Sequence, residues 1–264
     1  MSTTHRSFPL LRIRPDGDAR AIDRSLAVEM PVAIEIDGLG YAVMMATPGD
    51  LEDFATGFCL SERLIDTASQ LLAVEPHEAE PGVLLRLSFA SEVRPRVLER
   101  VRHRVSESSC GLCGIENLEQ ALRPLPIVAP PFQPVSKEAM FRALAEIRDH
   151  QPLGRATGAV HAAVLCDDGG TIRLVREDVG RHNAFDKLTG AMARQAIGWE
   201  DGFALTTARL SYELVEKAAL SHCHTLVGIS APTSLAVERA AVAGIRIVAL
   251  ARADAMLEAL PSND

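Results

Sequence analysis

The sequence predicts an α/β protein with an α+β N-terminal part, and three observations carry that prediction. Helix-like and strand-like segments alternate from residue 136 to residue 250, a hairpin signal followed by a helix signal opens residues 32–65, and a proline-rich stretch separates the two. Residues 32–46 (VAIEIDGLGYAVMMA) read as two strands, because Asp37 and Gly38 tolerate the positive φ of a tight turn. A helix should follow, capped by Thr47, with Pro48 at its first position and Asp50, Glu52 and Asp53 complementing the positive end of its dipole. Its inner stripe would be Leu51, Phe54, Phe58 and Ile65. A strand at 83–89 leads through the basic stretch 94–104 to a glycine-rich cysteine loop at 108–114.

Residues 124–134 (PLPIVAPPFQP) hold five of the fifteen prolines and read as an extended connection. The expected organisation is an N-terminal tail at 1–27, a domain at 28–134 and a second domain at 135–264. In the latter, helices are expected at 136–149, 182–197, 211–220 and 233–243. Strands are expected at 159–166, 171–175, 203–206, 224–229 and 245–250, in a partly parallel sheet. Gly244 stands where a helix-ending glycine belongs.

Composition excludes some functions. With 264 residues and 47% hydrophobic, the chain can bury at least one full core. Lys and Arg number 27 against 35 Asp and Glu, a net charge of -8 that argues against general nucleic-acid binding. The apolar stretch FPLL near the start is too short for a signal peptide. The apolar region 224–251 is interrupted by Pro232, Glu238, Arg239 and Arg246, so a cytoplasmic protein without a membrane span is expected. Five cysteines make no disulfide framework in a reducing compartment; Cys59, Cys166 and Cys223 lie in apolar runs and should be small buried residues.

The other two stand in Ser108-Ser109-Cys110-Gly111-Leu112-Cys113-Gly114. Small neighbours leave backbone amides free to face an anion, and Arg100, Arg102, His103 and Arg104 lie upstream, a setting that favours the thiolate and nucleophilic sulfur chemistry. Half of a zinc site, a thioredoxin-type redox pair and a merely structural loop are the other readings, the last disfavoured because exposed paired thiols invite oxidation without benefit. The first needs two more ligands, and no second CxxC or His-x3-5-His exists; the second normally opens a helix after a strand.

A second concentration of polar groups spans Thr157 to His161 and Glu177 to Lys187. Arg181, His182 and Asn183 sit at a predicted helix start, where free amides and the dipole favour phosphate. The plainer alternative is a solvated helix terminus in which Asp178 pairs with Arg181. Ser230, Thr233 and Ser234 link a strand to a helix, at the carboxyl end where α/β sheets gather ligands, although Thr233 or Ser234 would equally serve as an ordinary cap.

TPGDLEDFATGFCLSE, SCGLCG, TGAVHAAVL, EDVGRHNAFDKLTG, LSYELVEKA and SAPTSLAVERA, in that order, resemble the formate dehydrogenase accessory sulfurtransferase family. The resemblance implies a homodimer that takes persulfide sulfur from a cysteine desulfurase and carries it on Cys110. It then passes the sulfur to the bis-molybdopterin guanine dinucleotide cofactor destined for formate dehydrogenase. Cys113 matches the second cysteine. That cofactor would be a transient ligand, with GDP as a fragment of it; no permanently bound cofactor and no metal is implied. Its contacts would fall at Thr157, His161, Arg181, His182, Asn183, Ser230, Thr233 and Ser234, and on Leu250, Ala251, Arg252, Ala253, Asp254 and Ala255. The last segment departs from the family pattern, which has a Gly-Phe pair before the arginine; Ala159 and Thr207-Ala208-Arg209 depart from it as well. The C-terminal part resembles the cytidine-deaminase-like layer with a mixed sheet. Deamination itself lacks its acid, because His161-Ala162-Ala163 has alanine in place of glutamate. A non-catalytic chaperone for the same cofactor is the other alternative.

Overall fold

The computed structural model describes residues 3–100 and 122–260. Residues 5–27, where the sequence offers no element, form an antiparallel hairpin of β1 (His5–Ile13) and β2 (Ala19–Ala27). The predicted hairpin follows as β3 (Met30–Ile36) and β4 (Leu39–Ala46), with Asp37 at φ 50° and Gly38 at φ 79°, the left-handed pair a two-residue turn requires.

α1 (Leu51–Ser61) starts later than its sequence signals imply. Asp50 occupies the cap position at φ 52°, and Thr47 and Pro48 lie before it. Phe54 and Phe58 are buried as expected, Leu51 packs at the margin of the core, and Ile65 is buried beyond the helix end. β5 (Leu71–Ala79), not foreseen, and β6 (Gly82–Phe89) complete a four-stranded sheet of order β4-β3-β6-β5. β3 and β6 are its parallel central pair, and Val32, Ile34, Ile36, Leu85 and Leu87 form one apolar face under α1.

Past the proline-rich stretch come α2 (Lys137–Glu146), α3 (Pro152–Thr157), β7 (His161–Cys166), β8 (Ile172–Asp178), α4 (Arg181–Arg194), β9 (Phe203–Thr206), α5 (Tyr212–Leu220), β10 (Thr225–Gly228), α6 (Ser234–Ala243), β11 (Arg246–Ala249) and β12 (Leu257–Glu258). Their sheet runs β12-β11-β10-β9-β7-β8. β9, β10 and β11 are parallel, whereas β7, β8 and β12 pair antiparallel, the mixed sheet that helix-strand alternation after a DDGG turn predicts. Along β7, Ala163 and Leu165 enter the core beneath α4, α5 and α6, while Ala162, Val164 and Cys166 enter the core beneath α2. That alternation is the two-residue period of a strand covered on both faces. Gly244 ends α6 at φ 73°, as its position predicts.

α1 and α4 cross in close backbone contact. A Cβ at Gly57 would overlap the carbonyl of Asp186, and one at Gly190 would overlap the carbonyl of Asp53, so each helix presents a glycine where the other's backbone passes. Around the crossing, Asp53 accepts from Arg176 (Nη2 to Oδ2, 2.7 Å) and pairs with Arg194, while Asp186 receives Lys217 (2.7 and 2.8 Å) and Ser61 (2.6 Å). Cys59, Cys166 and Cys223 are all buried; burial is the largest cause raising each thiol above its ordinary range, Cys223 to about 12, so they stay protonated and unreactive. No helix among the described residues is long and apolar enough to cross a membrane.

Candidate anion site at the carboxyl edge of the mixed sheet

The strand directions bring five loops to one edge. β9, β10 and β11 end there, β8 ends there, and β7, running against them, begins there. His161 therefore pairs with Asp178 across β7 and β8, and the turns after Thr206, Gly228 and Ala249 lie alongside. These turns are laced together by Ile229 N to Thr206 O (2.9 Å), Leu250 N to Ser230 O (3.1 Å) and Ala251 N to Gly228 O (3.1 Å).

The motif at residues 177–187 divides into two groups with different surroundings. Asp178 and Lys187 are fully buried and joined at 2.6 Å. Asp178 Oδ2 also accepts from Thr47 N (3.0 Å), and its Oδ1 accepts from Gly180 N (2.8 Å) and Asn183 Nδ2 (3.0 Å). Lys187 Nζ donates to Thr47 O (2.9 Å), Asn183 Nδ2 donates to Met45 O (2.9 Å), and Thr47 Oγ1 accepts from Val179 N (3.2 Å). This latch ties the end of β4 to α4. Asp178 thus pairs with Lys187 and not with Arg181, Asn183 is spent on the latch, and Thr47 caps no helix. Lys187 and Asp178 went unrecognised as partners because a lysine inside an apolar helical stripe names no counter-ion without the tertiary fold.

The other group is half-buried. His182 Nε2 lies 2.8 Å from Glu213 Oε2 on α5, and Arg181 Nη2 lies 3.8 Å from the same oxygen. Glu213 is held below the usual carboxylate range, chiefly by the hydrogen bond from His182. His161 is pushed below the usual histidine range, first by burial and then by the positive charges of Arg181, Arg209 and His182. Arg181 Nε is shielded from solvent and has no partner among the described residues. Arg181, His182 and Arg209 thus make a local excess of positive charge beside His161 in an acidic chain, with Glu213 as its counter-charge, and its chemistry suits an anion. Glu213 and Arg209 were not among the predicted site residues; the signal for Arg209 was its place immediately after a strand's carboxyl end.

The remaining predicted contacts are spread along the same edge. Thr157 is buried and bonded within its own helix (Oγ1 to Leu153 O, 2.8 Å). Thr233 caps α6 by accepting from Ala236 N (3.2 Å), the ordinary role its residue type allows, and Ser234 is exposed as the first residue of that helix. Ser230 is half-buried. Leu250 takes φ 49° to turn the chain, Ala251 is buried, Arg252 is held onto the carbonyls of Ile229 and Ala251, and Ala253, Asp254 and Ala255 form an exposed turn closed by Arg252 N to Ala255 O (2.8 Å).

Cys110 and Cys113, with the rest of the loop 108–114, lie outside the described residues. Its flanks are described. Arg100 Nη2 donates to Glu62 O (3.0 Å), Arg63 Nη2 donates to Pro124 O (3.1 Å) and pairs with Glu216 on α5 (3.2 Å), and Arg239 donates to Arg123 O. Both flanks are therefore fastened just past the end of α1, where Arg63 also pairs with the helix that carries Glu213. Among the described residues no group of three His, Cys, Asp or Glu is arranged to hold a metal ion.

A family model described as the FdhD/NarQ family matches residues 27–257. The chain belongs to the FdhD/NarQ family. Among FdhD/NarQ relatives, a sulfur carrier protein FdhD of Xanthomonas euvesicatoria pv. vesicatoria is 43% identical over 236 residues, covering 89% of this chain and 84% of that one. A sulfur carrier protein FdhD of Variovorax paradoxus is 41% identical, with 97% and 96% covered. A crystal structure from Desulfotalea psychrophila, provisionally described as a formate dehydrogenase accessory protein, shares the fold. Its TM-score is 0.70 at 24% identity, over 97% of this chain and 96% of that one.

Proposed function

We propose that this FdhD/NarQ member is a sulfur carrier serving formate dehydrogenase, with Cys110 as the carrying residue. The observation that supports it most is the likeness, at 41–43% identity over most of the chain, to relatives named sulfur carrier protein FdhD. In this reading the Cys110 thiolate attacks the outer sulfur of a cysteine desulfurase persulfide. A new S–S bond forms to Cys110, the donor's S–S bond breaks, and the donor leaves as a thiolate, with no net oxidation. The Cys113 thiolate then attacks the inner sulfur of the Cys110 persulfide, so that a Cys110–Cys113 disulfide forms, the outer S–S bond breaks and the outer sulfur leaves as hydrosulfide to the bis-molybdopterin guanine dinucleotide, the substrate held at the sheet edge; a cellular thiol reduces the disulfide for the next round. His161, Arg181, His182 and Arg209 would hold its diphosphate and guanine portion. The bonds made by Arg63 and Arg100 fasten the two flanks of the cysteine loop just past α1. The protein works in the cytoplasm, as a homodimer.

Incubating the protein with a cysteine desulfurase and cysteine should add one sulfur per chain by intact mass, and none to Cys110→Ala. An unchanged wild-type mass defeats the carrier reading. Saturating GDP should raise the thermal midpoint of the wild type by mass action, and no shift counts against the cofactor site.

A further inference from the structure

The β1–β2 hairpin is unlike the rest of the chain. All nine residues of β1 are exposed, among them Phe8 (46%), Leu10 (40%), Leu11 (60%) and Ile13 (71%). A two-stranded hairpin is marginal in water by itself, and this one carries apolar groups on both sides. The register places Arg6, Phe8, Leu10 and Arg12 opposite Leu26, Arg24, Ile22 and Arg20, so one face is an apolar strip rimmed by four arginines. The other face puts Leu11 and Ile13 opposite Ala21 and Ala19. The base is anchored by Val28 N to Thr4 O (2.8 Å) and by Arg24 Nη2 to the carbonyl of Thr157 (3.4 Å), which leaves the outer half without cover.

We infer that this arm docks on a second copy of the chain, so that two copies exchange arms about a two-fold axis. The inference deepens the homodimer reading given above and rests on it. Charge favours that occupant: residues 3–27 carry five arginines against three aspartates, whereas the remaining chain carries 22 basic and 32 acidic side chains. The arm is thus a basic element of an acidic molecule, and a second copy presents the complementary sign. Size favours it too. The 23 residues from His5 to Ala27 match the roughly 20–30 per side of a standard interface, and a two-fold exchange covers both arms at once.

Sedimentation equilibrium of the full chain should show a dimer. In Leu11→Asp/Ile13→Asp its dissociation constant should rise at least about tenfold, with the far-UV spectrum and the monomer's thermal midpoint unchanged, because both side chains are already exposed in one copy. Arg12→Glu/Arg20→Glu should weaken the dimer as well, and added salt should weaken the wild type, which separates docking from a hairpin that fails to form. A wild type that stays monomeric overturns the homodimer reading itself. A wild-type dimer whose dissociation constant is the same in both double variants overturns only the assignment of the arm.

Discussion

Two regions of one motif, eleven residues long, are built for opposite ends. Asp178, Asn183 and Lys187 are buried, and each side chain is bonded to another of the three and to the backbone of residues 45–47. Arg181 and His182, on the same turn of α4, face the sheet edge, where positive charges crowd His161 and Glu213 pairs with both. The difference teaches that a dense polar motif is not by itself a binding site. Its satisfied members hold the molecule together, and its unsatisfied members are the ones left for a ligand.

The comparison breaks first at the latch. Lys187→Met should leave the Asp178 carboxylate buried without its cation and cost about 3–5 kcal/mol in urea unfolding, and adding Asp178→Asn should recover part of that. Recovery by the second substitution distinguishes a stranded charge from simple misfit. Next in size, Gly190→Ala should force α4 away from α1 and cost about 1–3 kcal/mol, since the obstacle is backbone that cannot rotate aside.

At the open group the effects should fall on binding. Arg181→Ala should weaken GDP about tenfold in titration calorimetry while leaving the thermal midpoint of the free protein within about a degree. A bound anion adds negative charge beside His161 and raises its proton affinity. GDP binding should therefore take up a proton and tighten as pH falls from about 8 to about 6, and this slope should flatten in His161→Gln. Without ligand the sign reverses. The folded state holds His161 below its ordinary pKa of 6.5, so the unfolded chain binds the proton more readily and acidification through that range costs stability.

The smallest effect belongs to Glu213. Its pKa is depressed from 4.5, so its contribution to stability is present above that value and disappears as pH falls through the folded-state pKa. Glu213 is half-exposed and screened by solvent, so Glu213→Gln should cost less than about 1 kcal/mol at neutral pH, a difference that vanishes in acid denaturation profiles.

Much of this was legible in the residues. Alternation, turn chemistry and the Gly244 stop located β3, β4, β6 and, apart from the short helix α3, the succession from α2 to β11 closely, because each depends on local periodicity and on backbone conformations that few residue types tolerate. The hairpin at 5–27 and β5 escaped that reading, since strands exposed on both faces, or carrying EPHE in their run, show no two-residue alternation of burial. The candidate site was half legible. Arg181, His182 and His161 were singled out by their place beside glycines at a strand end and a helix start, and the sheet does bring them together.

Tertiary structure alone decided which polar residues face one another. That Lys187 answers Asp178, that Asn183 reaches Met45, and that Glu213, some thirty residues beyond His182, supplies its counter-charge all depend on how α4, α5 and β4 are packed. Sequence fixes the local backbone because φ, ψ and side-chain period are properties of neighbours. Partners across tens of residues are fixed only when burial removes water and leaves each charged group the few companions within its reach.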